Sequence, residues 1–314
     1  MTALPLALLR NARISFDVSR SVSRAASIEP TIMNILSIQS WVAYGHVGNA
    51  SAVFPMQRLG CEVWAIHTVQ FSNHTGYGAW KGRVYDGTMV DELVEGIAER
   101  GVLGTCDGVI SGYMGSSDIG NAILTAVDKV RAANPAATYC CDPVIGDVGR
   151  GIYVRPGIPE FMRDKAVPAA DVITPNQFEL EYLTRRDIRT VEEAKAAISA
   201  IHRLGPKVIL VTSLNTVETP SDAVDLVASD ASGFYRVRTP QLGISVNGAG
   251  DAIAALFNLH WKRSGSPAGA LDLASASIYG LLRRTKEAGA REILTVAAQD
   301  EFVMPSQRFA VEKI

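Results

Sequence analysis

The chain has 314 residues, 47% of them hydrophobic and 20% charged, and a formal net charge of -2, which suits one large α/β domain or two small ones. No Lys/Arg run is present, so neither nucleic acid nor an anionic membrane surface can be held by a basic patch, and no apolar stretch approaches the roughly 20 residues of a membrane span. The four cysteines, Cys61, Cys106, Cys140 and Cys141, lie in apolar or strand-like segments without CxxC or Cys/His ligand spacing, and read as reduced core thiols of a cytoplasmic protein.

In chain order, residues 1–32 stand apart, being rich in Arg and Ser and poor in acids. That composition fits a transit peptide, PLALL would suit a short secretory core, and Met33 offers an alternative start. The simplest expectation is a poorly ordered extension, followed by one folded domain over 33–314. From Asn34 short apolar runs alternate with helical periodicity. The predicted strands are NILSIQS, EVWAIHTVQF, DGVISGYM, TYCCDPVIG, DVITPN and VILVTSL. Helices are predicted around Ala50 to Leu59, Asp91 to Arg100, Asp118 to Ala133, Pro159 to Ala166, Gln177 to Leu183 and Val191 to Leu204. A β-meander (DLVAS, GFYRVRTP), a helix opened by Asn247 and a last helix near Leu271 to Ala288 complete the pattern. The fold class expected is a single doubly wound α/β domain, a mostly parallel sheet flanked by helices.

The most informative segment is Asn247-Gly248-Ala249-Gly250-Asp251, which runs directly into the apolar stretch AIAALFNLHW. Glycines at a helix start leave backbone N–H groups exposed where the helix dipole favours negative charge, which suits a phosphoryl group in transit. Asp251, in the first turn, could then accept the proton of an attacking hydroxyl. The same residues would also serve a plain turn with an acid complementing the dipole. A helix N-terminus lowers a carboxylate's pKa, so a weak base is expected, acting mainly through position.

In doubly wound folds ligands bind beyond the carboxyl ends of the strands, and those ends are polar here. Ser40, then Ser72 to Thr75, Gly112 and Tyr113, Asp142 and Asp147, and Thr174, Asn176 and Glu179 follow successive strands. Asp142, Asp147 and Glu179 could hold magnesium directly or through water and orient ATP; as isolated residues they also suit a turn, a loop and an exposed helix face. GDVGRGIYVRPG, Gly146 to Gly157, has too little periodicity for sheet or helix and reads as a flap or a plain loop. Thr212, Ser213 and Thr239, Pro240, Gln241 and Leu242 are candidates for further nucleotide contacts. Ser40, Thr75 and Tyr113 would offer two small hydrogen-bonding groups and an aromatic wall to a flat polar ring. His46 and His74 read as structural or exposed more readily than catalytic.

SIQSWVAYGHVGNA, TVQFSNHTGYG, SGYMGS, CDPVIGD, ITPNQFELEYL and NGAGD, in this order from Asn34 almost to the C-terminus, together resemble the pyridoxal kinases of the ribokinase-like superfamily. The resemblance implies transfer of the ATP γ-phosphoryl group to the 5′-hydroxymethyl oxygen of pyridoxal, with pyridoxamine or pyridoxine as further acceptors. It implies Ser40, Thr75, Gly76 and Tyr113 at the pyridoxal ring. Asp142, Thr174, Glu179, Thr212 and Thr239 to Leu242 would lie at ATP, and Asp142, Asp147 and Glu179 at Mg2+. Catalysis would fall to Asp251 with Gly248 and Gly250. A homodimer and a monovalent cation are implied as well. Two departures stand out: Thr212 sits where bacterial relatives often carry lysine, and Ala249 replaces the usual Val or Thr between the glycines. Two alternatives remain: a hydroxymethylpyrimidine kinase on the same fold, and a non-catalytic pyridoxal phosphate binding protein.

Overall fold

The computed structural model describes residues 32–314; the extension expected over 1–32 lies, apart from Ile32, outside the described residues. The strands are β1 (Met33–Val42), β2 (Cys61–Phe71), β3 (Gly82–Val84), β4 (Gly108–Ser111), β5 (Thr138–Cys141), β6 (Gly146–Asp147) and β7 (Gly151–Ile152). Then come β8 (Val172–Ile173), β9 (Val208–Leu214), β10 (Ala223–Asp230), β11 (Gly233–Pro240) and β12 (Val311–Lys313). Ten of these form one sheet in the order β12-β11-β10-β9-β8-β5-β4-β1-β2-β3. The six inner strands from β9 to β2 are parallel, whereas β10, β11, β12 and β3 add antiparallel edges.

The inner strands read as continuous apolar runs because both of their faces are covered. On β1, Leu36 and Ile38 pack into one core layer and Ile35 into the other, as the two-residue period requires. The first layer is roofed by the helices Gly87–Ala98, Ser117–Ala133, Gln177–Thr184 and Val191–His202, and the second by Asn49–Arg58, Ala249–Ser264 and Pro267–Glu287. Phe257 is fully buried in the second layer. Phe257→Ala is expected to cost about 3–5 kcal/mol, seen as a lower urea midpoint at unchanged m-value.

Several boundaries differ from expectation for identifiable reasons. The helix placed from Asp91 starts at Gly87, since the Asp86 side chain caps it by accepting from Met89 N–H at 2.9 Å. The last long helix starts at Pro267 rather than Leu271, with Ser266 as its cap and proline in the first turn. The helix expected over Pro159 to Ala166 is broken into Ile158–Phe161, a π turn Met162–Ala166 and Val167–Ala169. Pro168 cannot donate to the helical ladder, and the turn before it widens. The flap segment does contain sheet: β6 and β7 pair antiparallel, Gly146 with Ile152 and Asp147 with Gly151, a hairpin too short for any periodicity to register.

Strand order reverses direction at β1, with β2 on one side and β4 on the other. A crevice opens at the carboxyl ends of strands at such a switch point, and Ser40, Gly112 and Tyr113 lie there.

Candidate active site

A cleft of about 750 Å³ runs along the carboxyl edge of the sheet. Ser40, Thr75, Gly76 and Tyr113 line its β1–β4 end. Asp142, Asp147, Thr174, Glu179, Thr212 and Thr239 to Leu242 line the rest, and Gly248, Gly250 and Asp251 lie on its floor. His46 does not line the cleft; its ring nitrogen Nδ1 lies 3.2 Å from the Ala50 carbonyl oxygen.

Gly248 caps the Ala249–Ser264 helix with φ +87°, a left-handed conformation that glycine adopts without penalty. A Cβ there would overlap the His46 carbonyl oxygen. Its own carbonyl accepts from Ser51 Oγ at 2.7 Å, so the glycine turn is pinned from below. Asp251 lies two residues into the helix, with the Gly48 backbone N–H close enough to favour its ionised form. Its carboxyl is pushed up to about 6 by desolvation, against the lowering effect of that N–H and its own amide. The expected depression by the helix N-terminus is thus overturned: burial in a cleft wall outweighs the amide field.

Asp142 is buried at the end of β5 and accepts from Thr174 Oγ1 at 2.9 Å. Burial, then the charges of Glu179 and Asp251, hold its carboxyl well above the usual range. Glu179 is also buried, not on an exposed helix face. It forms a capping box with Asn176, in which Asn176 N–H donates to Oε2 at 2.9 Å and Glu179 N–H to Asn176 Oδ1 at 2.9 Å. Its Oε1 accepts from Ile145 N–H at 2.9 Å and Gly146 N–H at 3.4 Å. Glu179 therefore ties the base of the β6–β7 hairpin to the following helix, and desolvation pushes it up to about 8. Asp147 is exposed and caps Val148 N–H at 2.8 Å. Among the described residues, no three His, Cys, Asp or Glu side chains are grouped tightly enough to hold a metal ion directly. The three carboxylates share a cleft without forming one closed ligand set.

At the acceptor end, Thr75–Tyr77 forms a 3-10 turn capped by His74, whose ring accepts from Gly76 N–H at 3.1 Å. Ser40 is buried beside Gly48, whose lack of a Cβ lets the backbone pass close to the Ser40 hydroxyl and carbonyl. Burial pushes the Tyr113 phenol up. One feature was not anticipated from sequence. Tyr77 donates its hydroxyl to Glu292 Oε1, His46 N–H donates to Glu292 Oε2 at 3.2 Å, and the Arg291 guanidinium stacks 3.9 Å from the Tyr77 ring. A single carboxylate after the last long helix thus joins the loop after β1 to the turn after β2. Tyr77 and Glu292 are 215 residues apart, so no local signal could pair them. Arg150, which also lines the cleft, was missed because its flap looked like any glycine-rich loop.

Comparison with known proteins shows the family of the chain. The phosphomethylpyrimidine kinase family model matches residues 84–296. The chain is 62% identical over 281 residues to pyridoxal kinase PdxY of Granulibacter bethesdensis, covering 88% of this chain and 98% of that one. It is 52% identical over 295 residues to pyridoxal kinase PdxY of Deinococcus radiodurans, covering 92% and 99%. Among solved structures, the pyridoxal kinase of Leishmania donovani in complex with ADP and pyridoxamine superposes with a TM-score of 0.83 at 29% identity, over 90% of this chain and 99% of that one. A further structure of that enzyme holds ADP and pyridoxine, with the same TM-score of 0.83. By sequence over most of its length and by fold, the chain belongs to the pyridoxal kinases, within the phosphomethylpyrimidine kinase family and on the ribokinase-like fold.

Proposed function

We propose that the chain transfers the γ-phosphoryl group of ATP to the 5′-hydroxymethyl oxygen of a B6 vitamer, giving pyridoxal 5′-phosphate from pyridoxal. The observation that carries this reading is the meeting, in one cleft, of the Gly248–Gly250 helix start and the Asp251 carboxylate with a small polar acceptor end. Ser40, Thr75, Gly76 and Tyr113 take the ring, and Thr174, Thr212 and Thr239 to Leu242 lie along the nucleotide. Asp251 takes the hydroxyl proton as the oxygen bonds to the γ-phosphorus, the bond to the β,γ-bridging oxygen breaks, and ADP leaves. The backbone N–H groups at the helix start hold the equatorial oxygens in transit.

Magnesium fits the donor set: Asp142 is a buried carboxylate whose charge is opposed by two neighbouring acids, a balance that a cation reverses. Asp142, Glu179 and Asp147 would hold the ion through its water shell, and bound there it neutralises phosphate charge. The reading extends to a homodimer and an alkali cation, tested by light scattering and by potassium titration of turnover. It also includes a cytoplasmic location, which four buried free thiols support.

The deciding assay incubates the protein with magnesium-ATP and, separately, pyridoxal, pyridoxamine, pyridoxine and hydroxymethylpyrimidine, and separates the products by chromatography. Phosphorylated B6 vitamer is the expected product. Product from hydroxymethylpyrimidine alone, or none, would overturn the reading.

Two further outcomes follow from the geometry. Asp251 acts as a base only when ionised, so kcat/KM is expected to hold above its folded value and to fall tenfold per unit as pH drops below about 6. Glu292→Ala removes the tie between the two acceptor-side loops, and should raise KM for the vitamer by about tenfold while kcat changes less. Initial rates at varied vitamer concentration separate these parameters.

A further inference from the structure

The cleft presents four carboxylates, Asp142, Asp147, Glu179 and Asp251, to a reaction whose donor, transferred group and product are all anionic. Against them, Arg150 is the single Lys or Arg among the described residues that line it. His74, the histidine of the lining, is held toward its neutral form by burial and by the nearby Arg150 charge. Beside the magnesium and the helix-start amides, positive charge from a side chain of the described lining can therefore come only from Arg150.

Its position suits that task. Arg150 closes the turn between β6 and β7, with its N–H donating to the Asp147 carbonyl at 3.2 Å. Gly149 at φ +86° and Gly151 at φ +67° flank it, a sharp reversal that only glycine makes freely. The hairpin base is held by Glu179 Oε1 and by Asn176 Nδ2, which donates to the Gly146 carbonyl at 2.8 Å. From this anchored base the guanidinium reaches across the cleft to Ser245 Oγ at 3.4 Å. Ser245 lies three residues before Gly248, and His74 belongs to the acceptor-side turn. The guanidinium is thus placed between the nucleotide side, the helix start and the acceptor. Its contact to Ser245 is long and reaches only a neutral hydroxyl, so an anionic phosphate oxygen displaces it readily with a shorter bond between opposite charges.

We propose that Arg150 is a catalytic residue of this chain, contacting the γ-phosphoryl oxygens from the flap and stabilising the charge that develops on them during transfer. The inference rests on the kinase reading above. A guanidinium offers paired N–H donors that match phosphate oxygens. Mounted on a hairpin, it enters the site with the nucleotide and leaves with the products.

The test compares wild type, Arg150→Ala and Arg150→Lys with magnesium-ATP and the preferred vitamer, with and without millimolar guanidinium in solution. Arg150 is exposed at a turn, so the variants should melt with the wild type. The expected result is a loss of kcat of roughly 100-fold in Arg150→Ala, below the 10³–10⁵ of an arginine finger in a closed site, with KM for the vitamer little changed. Added guanidinium, or lysine at the position, should restore about tenfold of it, as a missing charge predicts and a misshapen flap does not. An Arg150→Ala enzyme turning over within about threefold of wild type, or a loss that neither guanidinium nor lysine relieves, would overturn the role. Absence of product from wild type with every vitamer would instead overturn the kinase reading.

Discussion

Asp251→Asn is expected to lower kcat with a B6 vitamer by about 10³-fold or more, toward the upper end of general-base effects, with ATP binding little altered. Asparagine keeps the size and an acceptor oxygen toward Gly48, but it cannot take the hydroxyl proton. Positioning by the helix-start amides survives, which is why a residual rate remains. Single-turnover measurements with saturating ATP isolate the chemical step, and unchanged turnover would remove Asp251 from the mechanism. The same substitution should leave the protein more stable. Because the folded carboxyl titrates at about 6 instead of 3.8, the native state holds its proton more tightly than the unfolded chain does. Stability from this group is therefore full below its unfolded value and declines as pH rises through its folded value. At neutral pH and above the wild type carries the whole penalty and asparagine none. The gain is on the order of 1 kcal/mol after screening at a partly exposed group, about 2–4 °C in Tm for a chain of this size. A base that destabilises its own fold is a common trade between function and stability.

Gly248→Ala is expected to cut kcat by about 10²–10³-fold and to lower Tm. The backbone there has φ +87°, which costs roughly 1–2 kcal/mol for an L side chain. The added methyl would overlap the His46 carbonyl oxygen and approach Ile293 Cδ1 to 3.2 Å. Neither side yields easily, because His46 is held through its N–H to Glu292 and Gly248 through its carbonyl to Ser51. The glycine turn must then shift, and a displacement of about 1 Å of donors aimed at a transferring group costs on the order of 10²-fold. Gly250→Ala is the informative contrast: a Cβ there meets nothing within 4 Å, so the fold should be kept and any loss of turnover reports crowding of the phosphoryl path. If Gly248→Ala turned over at the wild-type rate, the turn would have no part in holding the group.

Much of the site was legible before any tertiary contact was known. The parallel inner sheet followed from apolar runs alternating with helical periods, because both requirements are local to each segment. The strand-end residues Ser40, Thr75, Tyr113, Asp142 and Thr174 lie where the order of those segments puts them. Asn176 and Glu179 both stand out after the fifth predicted strand, although their pairing as a capping box emerges only in the structure. The glycine pair before Asp251 marks a helix start by backbone chemistry alone.

Other features depend on partners that no local window contains. Tyr77 meets Glu292 across 215 residues and Arg150 meets Ser245 across 95; only chain closure makes them neighbours. The direction of the Asp251 shift was misjudged for the same reason. A sequence reveals the amides that lower it but not the protein atoms that exclude water from it. The exposed-face alternative for Glu179 fails because the flap strand folds over it and its carboxylate is buried. Sequence by itself determined the element order and which residue types reach the carboxyl edge, since hydrophobic period and turn chemistry act over a few residues. Tertiary structure alone decided which carboxylates are desolvated, which loops share Glu292 and where Arg150 points, since desolvation and long-range pairing are set by atoms from distant segments.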